Sequence, residues 1–344
     1  MTKKNLISTI KNHSLVSIVG MDKNVGKTTV LNYILNNLDS SMEPVGITSI
    51  GRDGEDKDLV TSTEKPQIYI KAGTIIATAR QCLSYGDITR EILATTDINT
   101  AMGKVVLVKA LSDGYVDLGG PSLNSQMLSV CSILKDCNCN LVLVDGALSR
   151  RTFASPSFAD GIILSTGASL SKNIDTVVEK TSHTVCLLSL ECEEDDHILS
   201  LCRDTPEDIK VLLISKDKTL KSLDVVTALS AAEHIVDSLD KEICHIFIRG
   251  ALSNTFFEQL IKHPHKIKNK TFIAEDGTKL FLNKATYNKF LAMGAQIKVL
   301  KSINLLALTC NPVSPYGYEF PPKEFLCKLR DAVSIEVFDV MQNI

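Results

Sequence analysis

The chain has 344 residues, of which 44% are hydrophobic and 22% are charged, and its formal net charge is −3. This composition is typical of a globular protein and excludes a chain that is disordered throughout. Its slightly acidic balance is a poor match for a protein that binds nucleic acid over a broad basic face.

Short runs rich in β-branched residues alternate with longer amphipathic stretches over the first part of the chain. Several of the short runs are apolar on both faces, as expected of parallel strands covered by helices on both sides. The predicted strands are 15–19, 44–50, 104–109, 140–144, 161–165, 184–189 and 210–215. The predicted helices are 27–38, 73–84, 123–136, 171–181 and 219–238. This alternation predicts an α/β fold with an open, doubly wound, mostly parallel sheet.

The alternation becomes less regular near residue 240. Beyond it we predict strands at 243–248, 271–274 and 303–309, and helices at 253–262, 284–293 and 322–332. We also predict a Pro- and Tyr-rich loop at 311–322. A chain of this length usually forms two domains. We therefore predict a first domain over 1–240 and a smaller α/β domain over 241–344.

The sequence carries no signal for a membrane or an export route. Its longest apolar runs, such as LVLV and INLLAL, are far shorter than the ~20 residues that span a bilayer. The first residues, MTKKNLISTIKNH, include lysines but no apolar signal core. Ten scattered cysteines, with one close pair at Cys137 and Cys139, are typical of buried thiols in a reducing compartment. We therefore expect a cytoplasmic protein.

The stretch SIVGMDKNVGKTTVLNYIL, residues 17–35, reads as a strand, a glycine turn and a helix. Such a turn points backbone N–H groups inward, and the helix adds its positive dipole end, so the two together bind anions. In a phosphate-binding loop of this kind the lysine reaches the outer phosphates and the next hydroxyl binds Mg²⁺. The predicted nucleotide-binding residues in this stretch are Gly20, Asn24, Val25, Gly26, Lys27, Thr28 and Thr29.

The spacing of this loop departs from the ordinary motif. That motif has four residues between its first glycine and the Gly-Lys pair. Here five residues separate Gly20 from Gly26, and Met21 stands where the first glycine is expected. The loop is therefore a variant of the phosphate-binding motif.

Acidic and basic residues follow three other predicted strands. In LVLVDGA, Asp145 comes directly after four apolar residues, in the form of a strand whose acid holds Mg²⁺ through water. In ITSIGRDGEDKD, Arg52 is a predicted phosphate contact and Asp53 a predicted Mg²⁺ partner, with a solvated polar turn as the alternative. We interpret Lys109 and Asp113, after another strand, as candidates to wrap a ligand or partner. The predicted metal set is Thr28, Asp53 and Asp145, and the predicted catalytic residues are Lys27 and Asp145.

Two resemblances add to this pattern. The loop GMDKNVGKTT resembles that of dethiobiotin synthetases and related amidoligases and cobyrinate-type synthetases, which also place five residues between the glycines. The segments SIVGMDKNVGKTTVLNYIL, GITSIGRDGE and NPVSPYGYEFPPKEF resemble the P-loop subunit of the reactivase for lysine 5,6-aminomutase. This second resemblance runs over most of the chain.

The reactivase resemblance implies a chaperone-like ATPase. Such a factor uses ATP and Mg²⁺ to open a cobalamin-dependent aminomutase and release its damaged cobalamin, together with a second reactivase subunit. It implies that Lys27 and Thr28 bind nucleotide and Mg²⁺, and that Asp145 senses or activates the γ-phosphate. It implies that the domain over 241–344 faces the aminomutase and that this chain itself binds no cobalamin. The charge and the short apolar runs argue against nucleic-acid and membrane partners, and a homo-oligomer remains open.

Two alternatives remain open at this point. The first is a ligase similar to dethiobiotin synthetase, which phosphorylates a small substrate. Those synthetases carry a substrate-binding lysine after the second strand, where this chain has TSIGRDG, and a glutamate where this chain has Asp145. The second is a nucleotide-dependent switch with little turnover for another metalloenzyme. The chain lacks the Asn-Lys-x-Asp motif that selects guanine, so we favour ATP over GTP.

Overall fold

The computed structural model describes residues 5–38, 44–51, 67–147, 154–228 and 231–342 of the chain. The strands in chain order are β1 (Leu15–Gly20), β2 (Val45–Ser49), β3 (Ile68–Ile70), β4 (Ile75–Ala79), β5 (Arg90–Thr100), β6 (Gly103–Ala110), β7 (Gly114–Val116), β8 (Leu141–Ala147), β9 (Gly161–Gly167), β10 (Val211–Ser215), β11 (Leu220–Leu223), β12 (Ile243–Ile248), β13 (Leu252–Ser253), β14 (Thr271–Ala274), β15 (Leu280–Phe281), β16 (Gln296–Val299), β17 (Leu305–Asn311) and β18 (Val337–Phe338).

The α-helices alternate with these strands along much of the chain. They are α1 (Leu6–Ile10), α2 (Lys27–Asn37), α3 (Asn124–Asp136), α4 (Ile174–Leu188), α5 (Asp196–Asp204), α6 (Ala231–Ser238), α7 (Asn254–Ile261), α8 (Pro264–Ile267), α9 (Lys284–Ala292) and α10 (Pro322–Ala332). Within the described ranges, no helix combines the length and the apolar character that crossing a bilayer requires.

The chain divides into two units, and the first of them is discontinuous. Unit 1 comprises residues 1–182 and 304–344, and unit 2 comprises residues 183–303. This division differs from the predicted boundary at residue 240. The reason is that β17 and β18, at the end of the chain, return to the sheet of unit 1. The predicted domain 241–344 therefore supplies strands to both units.

Unit 1 is built on one large sheet. Among the described strands, nine form this sheet in the order β18-β17-β9-β1-β8-β2-β4-β6-β5. The first seven run parallel, and β6 and β5 extend the sheet in antiparallel fashion. The α/β class and the mostly parallel sheet predicted from the sequence are confirmed.

Helix α2 covers one face of this sheet. Its inward side chains are Val30 and the residues one, four and five positions after it, a spacing that places them on a single helical face. These side chains share one hydrophobic cluster with alternate residues of two strands of the sheet. The cluster includes Val30, Leu31, Ile34 and Leu35 of α2, Val16 and Ile18 of β1, and Leu141 and Leu143 of β8. The packing of α2 fixes where its first turn meets the sheet.

Unit 2 contains a smaller mixed sheet. Its strand order among the described residues is β11-β10-β12-β14-β16, in which β12, β14 and β16 are parallel and β10 is antiparallel to both neighbours. Four aromatic rings of one core cluster pack edge to face with centroid distances of 5.0 to 5.2 Å, namely Phe256, Phe257, Phe272 and Phe290. A smaller cluster includes Ile198, Leu199 and Cys202 of α5 and Phe247 of β12.

Three predicted elements are wrong because short apolar runs do not identify helix or strand by themselves. The predicted helix 73–84 is the buried strand β4 followed by a 3₁₀ helix at Arg80–Tyr85, since β4 pairs with both β2 and β6. The predicted strand 184–189 is mostly the last turn and a half of α4, whose buried residues continue its helical face. The predicted helix 219–238 contains β11 and only then α6.

The division into units predicts which fragments of the chain fold. A fragment of residues 174–303 contains all of unit 2 and keeps α4 intact, so we expect one cooperative urea transition by circular dichroism. A fragment of residues 241–344 lacks β10 and β11 and carries β17 and β18 without their sheet. We expect it to show no such transition. A cooperative transition of the second fragment would support the boundary at residue 240.

Candidate functional site

The glycine loop (residues 20–29) has the backbone that its sequence predicts. β1 ends at Gly20 and α2 begins at Lys27. Between them Asn24 has φ +58° and Gly26 has φ +90°, both in the left-handed region. The first N–H groups of a helix have no intrahelical partner, and Gly26 has no side chain to cap them. α2 therefore presents its positive end to the loop.

The lysine of the loop passes closely over its first glycine. A Cβ atom on Gly20 would lie 2.7 Å from Cδ and Nζ of Lys27 and 2.7 Å from Cγ2 of Val25. Only glycine leaves room for this approach. The Lys27 ammonium donates a hydrogen bond to the Asp22 carbonyl at 3.0 Å. The cation is thus held by the loop itself, against the end of β1.

Asp145 lies on the face of the sheet where α2 begins. It is opposite Ile18 of β1 and Ser49 of β2 in the parallel ladders. Residues 141 and 143 of the same strand belong to the cluster under α2, so the two-residue period of a strand places Asp145 on that face too. Its Oδ1 atom is buried and has no hydrogen-bond partner among the described residues.

The charges of Lys27 and Asp145 are both poorly hydrated. Burial raises the pKa of the Asp145 carboxyl, and the positive charge of Lys27 opposes that rise. Burial also lowers the pKa of Lys27, opposed by the negative charges of Asp145 and Asp22. In each case the cost of burial outweighs the attraction. The pair therefore offers one group for an anion and one for a cation at the same end of the sheet.

A distant residue fixes the left-handed part of the loop. The side-chain amide of Asn311, at the end of β17, donates a hydrogen bond to the Asn24 carbonyl at 3.2 Å. A Cβ atom on Gly26 would lie 3.2 Å from Cβ of Asn311, and one on Gly167 would lie 2.8 Å from the Asn311 carbonyl oxygen. Sequence reasoning missed Asn311, although an asparagine directly after an apolar strand is a signal that could have found it.

Two further bonds anchor the loop to the end of β9. The Met21 N–H donates to the Ser165 carbonyl at 2.9 Å, and the Ser169 hydroxyl donates to the Lys23 carbonyl at 3.0 Å. The Tyr318 hydroxyl donates to the Ala168 carbonyl at 2.5 Å. The predicted Pro- and Tyr-rich loop therefore reaches the same edge of the sheet as the glycine loop.

The segment 109–120, which contains the candidates Lys109 and Asp113, is divided between two edges of the sheet. A Cβ atom on Gly120 would lie 1.9 Å from the Ser49 carbonyl oxygen, so this glycine packs on the end of β2, beside β8. Lys109 lies opposite Ile75, at the amino-terminal end of β4, because β6 is antiparallel. The Asp113 carboxylate accepts a bond from the Ala72 N–H there. Lys109 and Asp113 are therefore at the edge away from Asp145.

The structure gathers most of the predicted site residues at one edge of unit 1. Beside Asp145, these are Gly20, Asn24, Val25, Gly26, Lys27, Thr28 and Thr29. Both threonines are half-buried in the first turn of α2. Arg52 and Asp53 lie outside the described residues. In the ranges that the structure covers, no group of three or more His, Cys, Asp or Glu side chains could hold a metal ion.

Comparisons with known proteins add no family to these observations. No family model matches the chain, and no curated protein and no solved structure matches it either.

The electrostatics of Asp145 predict a stability gain on its neutralisation. We expect Asp145→Asn to raise the free energy of unfolding at neutral pH by on the order of 1 kcal/mol, because it removes a buried charge whose attraction to Lys27 does not offset its burial. Urea titration followed by circular dichroism measures this change. An equal effect of Asp331→Asn, at an exposed carboxylate of the same unit, would contradict the explanation.

The sign of the pH dependence follows from the raised pKa of Asp145. A raised folded-state pKa means that ionisation of Asp145 destabilises the fold as the pH rises through and above the ordinary carboxyl pKa of about 4. The advantage of Asp145→Asn over the unsubstituted protein is therefore present at neutral pH. It disappears below about pH 4, where the carboxyl is protonated in both the folded and unfolded states.

Proposed function

We propose that this chain is a P-loop NTPase-type protein that binds ATP and Mg²⁺ at the glycine loop. The observation that carries the proposal is the buried, unpartnered Asp145 Oδ1 on the face where α2 begins, near Lys27. A carboxylate oxygen without a hydrogen-bond donor is a costly feature in a buried place. Proximity of a metal-bound water or a metal ion removes that cost.

The residues present fit a phosphate chain and its metal. The N–H groups of the loop and of the first turn of α2 suit the phosphate oxygens. Lys27 exchanges its bond to the Asp22 carbonyl for one to an outer phosphate oxygen, which is the stronger acceptor. Thr28 and Asp145 would hold Mg²⁺, which supplies neutralisation of the phosphate charge. Asn311 keeps the loop open by holding Asn24 in its left-handed conformation.

We further propose that the ATPase acts as a reactivating factor for a cobalamin-dependent lysine 5,6-aminomutase. Its support is the sequence resemblance of the glycine loop, of GITSIGRDGE and of NPVSPYGYEFPPKEF to the P-loop subunit of that reactivase. Work on a partner requires that the nucleotide states of this chain bind two conformations of the aminomutase with different affinity. Release of damaged cobalamin then follows from the mutase opening, with a second reactivase subunit present.

A ligase similar to dethiobiotin synthetase is the second candidate. One observation favours it. Gly120 packs on Ser49, the residue opposite Asp145, so a glycine segment lies on the side of Asp145 away from the glycine loop. A small substrate that receives a phosphoryl group needs such a second surface beside the outer phosphate. Against it, TSIGRDG lacks the substrate-binding lysine of those synthetases.

Substitution of the loop lysine tests nucleotide binding. We expect Lys27→Ala to weaken Mg·ATP binding by about 10- to 100-fold, because a hydrogen bond to a charged group is worth ~1.5–3 kcal/mol. Isothermal titration calorimetry measures the affinity. Lys23→Ala is the matched control, since Lys23 lies in the same loop but is exposed. Equal losses in the two variants would mean that general positive charge, and not the position of Lys27, attracts the nucleotide.

The reactivase proposal has its own measurement. We expect the rate of ATP hydrolysis to rise when cobalamin-inactivated lysine 5,6-aminomutase and the second reactivase subunit are added, and mutase activity to return when adenosylcobalamin is supplied. The same mixture with Lys27→Ala should show neither effect. Tight Mg·ATP binding without stimulation by the mutase would reject the reactivase and leave the nucleotide site in place.

A further inference from the structure

Unit 2 contains a β-bulge whose extra residue is a cysteine. In the ladder between β10 and β12, Ile214 is opposite His245 and Ser215 is opposite Ile243, so Cys244 has no partner residue. A bulge of this kind redirects the side chains of the bulged strand, and bulges are over-represented beside active sites. The structure of β12 therefore departs from a regular strand at Cys244.

The bulge brings two neighbouring side chains together. In a regular strand the side chains of Cys244 and His245 would point to opposite faces of the sheet. Here the Cys244 Sγ atom lies 3.2 Å from Nδ1 of His245, within hydrogen-bond distance for sulfur. The thiol is also 3.4 Å from the Ile214 carbonyl oxygen. Both residues are partly exposed.

The other nitrogen of the imidazole faces a fixed carboxylate. Nε2 of His245 lies 3.7 Å from Oε2 of Glu193, whose side chain is only 6% exposed. Glu193 accepts hydrogen bonds through Oε1 from the N–H groups of Glu194 and Asp195 at 2.8 and 3.2 Å. The Lys298 ammonium lies 3.5 Å from the same oxygen. This carboxylate therefore has one well-defined position beside the ring.

Burial opposes charge separation between the sulfur and the nitrogen, and most of the charged groups around the pair reduce that cost. Burial raises the pKa of the Cys244 thiol and lowers the pKa of His245, so the pair rests as a neutral thiol and a neutral imidazole. The neutral imidazole is the form that accepts a proton, and Glu193 stabilises the imidazolium that results. The other charged groups near the pair are Lys216 and Lys270 on the side of the thiol, and Asp195 and Lys298 on the side of the ring.

We propose that Cys244 is a nucleophilic thiol site that exchanges with small disulfides, with His245 as its base and Glu193 as a positioning residue. A nucleophile bonded to a base that a third group orients is the arrangement that activates side chains for covalent chemistry.

The exchange step balances without a further reactant. The Cys244 proton passes to Nδ1 of His245, and the thiolate attacks one sulfur of a disulfide RS–SR. The Cys244–S–SR bond forms as the original S–S bond breaks, and the leaving RS⁻ takes the proton from the imidazolium. Cys244 is oxidised to a mixed disulfide while half of the small disulfide is reduced to a thiol. A reducing thiol reverses the step.

The first test compares cysteines within the unsubstituted protein. The full-length chain is treated at neutral pH with iodoacetamide, or separately with oxidised glutathione, and modification of each cysteine is followed over time by peptide mass spectrometry. Cys186 and Cys327 are exposed and serve as internal references. We expect Cys244 to react with both reagents faster than the references, although it is less exposed. A Cys244 rate at or below that of the references would overturn the proposal.

The second test removes the base. We expect His245→Gln to slow the alkylation of Cys244 by at least about tenfold, because a general base typically contributes about 100-fold or more. The rates at Cys186 and Cys327 should not change. His197→Gln, at an exposed histidine of the same unit, is the matched control and should leave the rate unchanged. An unchanged rate in His245→Gln with the references unchanged would show that the imidazole is not the base.

The third test separates positioning from structural support. Burial lowers the pKa of His245 and the negative charge of Glu193 opposes that shift, so Glu193→Gln should lower this pKa further, move the pH profile of Cys244 alkylation to lower pH and reduce its maximum. Loss of structure would instead expose the buried Cys202 to alkylation in the same sample. An unshifted profile would remove Glu193 from the site. Fast alkylation of Cys244 without a mixed disulfide from oxidised glutathione would reject disulfides as the substrate class.

Discussion

The parallel register of β1, β8 and β2 is the constraint on which the site of unit 1 depends. It aligns the strand that ends at Gly20 with the strand that carries Asp145, because parallel neighbours end at the same edge of a sheet. The cluster under α2 then fixes the start of that helix against the same edge. Lys27 and Asp145 are therefore placed by the packing of two elements whose apolar residues have nothing to do with nucleotide chemistry.

This placement is unfavourable for folding, and the rest of unit 1 must offset it. Burial opposes the charge of Lys27 and that of Asp145, and their mutual attraction does not compensate for it. Asn24 adds a left-handed conformation that residues other than glycine rarely adopt. Such features persist only where the surroundings determine them, as the bonds from Asn311 and from Met21 do here. On the proposed function, a phosphate and a cation bound at this edge would relieve these unfavourable terms.

Local sequence signals were sufficient for the parts of this site that lie within one strand, turn or helix. Asp145 and Lys27 were found because an apolar strand or a glycine turn stands directly beside each of them. Asn311 was missed because its partner Asn24 is 287 positions away. The position of Lys109 could not be predicted, because the composition of β6 does not encode its direction and reversal of one strand moves its last residues to the opposite edge. Pairing, unlike composition, is a property of the whole sheet.

The same distinction explains why the contact between Cys244 and His245 cannot be predicted from the sequence. Adjacent residues in a strand are expected on opposite faces, so their adjacency argues against a contact. The contact exists only because β10 and β12 pair with one residue in excess, and that excess depends on the register at Ser215 and Ile243. Left-handed Asn24 and bulged Cys244 are thus alike in one respect. In each, an irregular backbone position, held by a regular ladder, brings together groups that a regular element would keep apart.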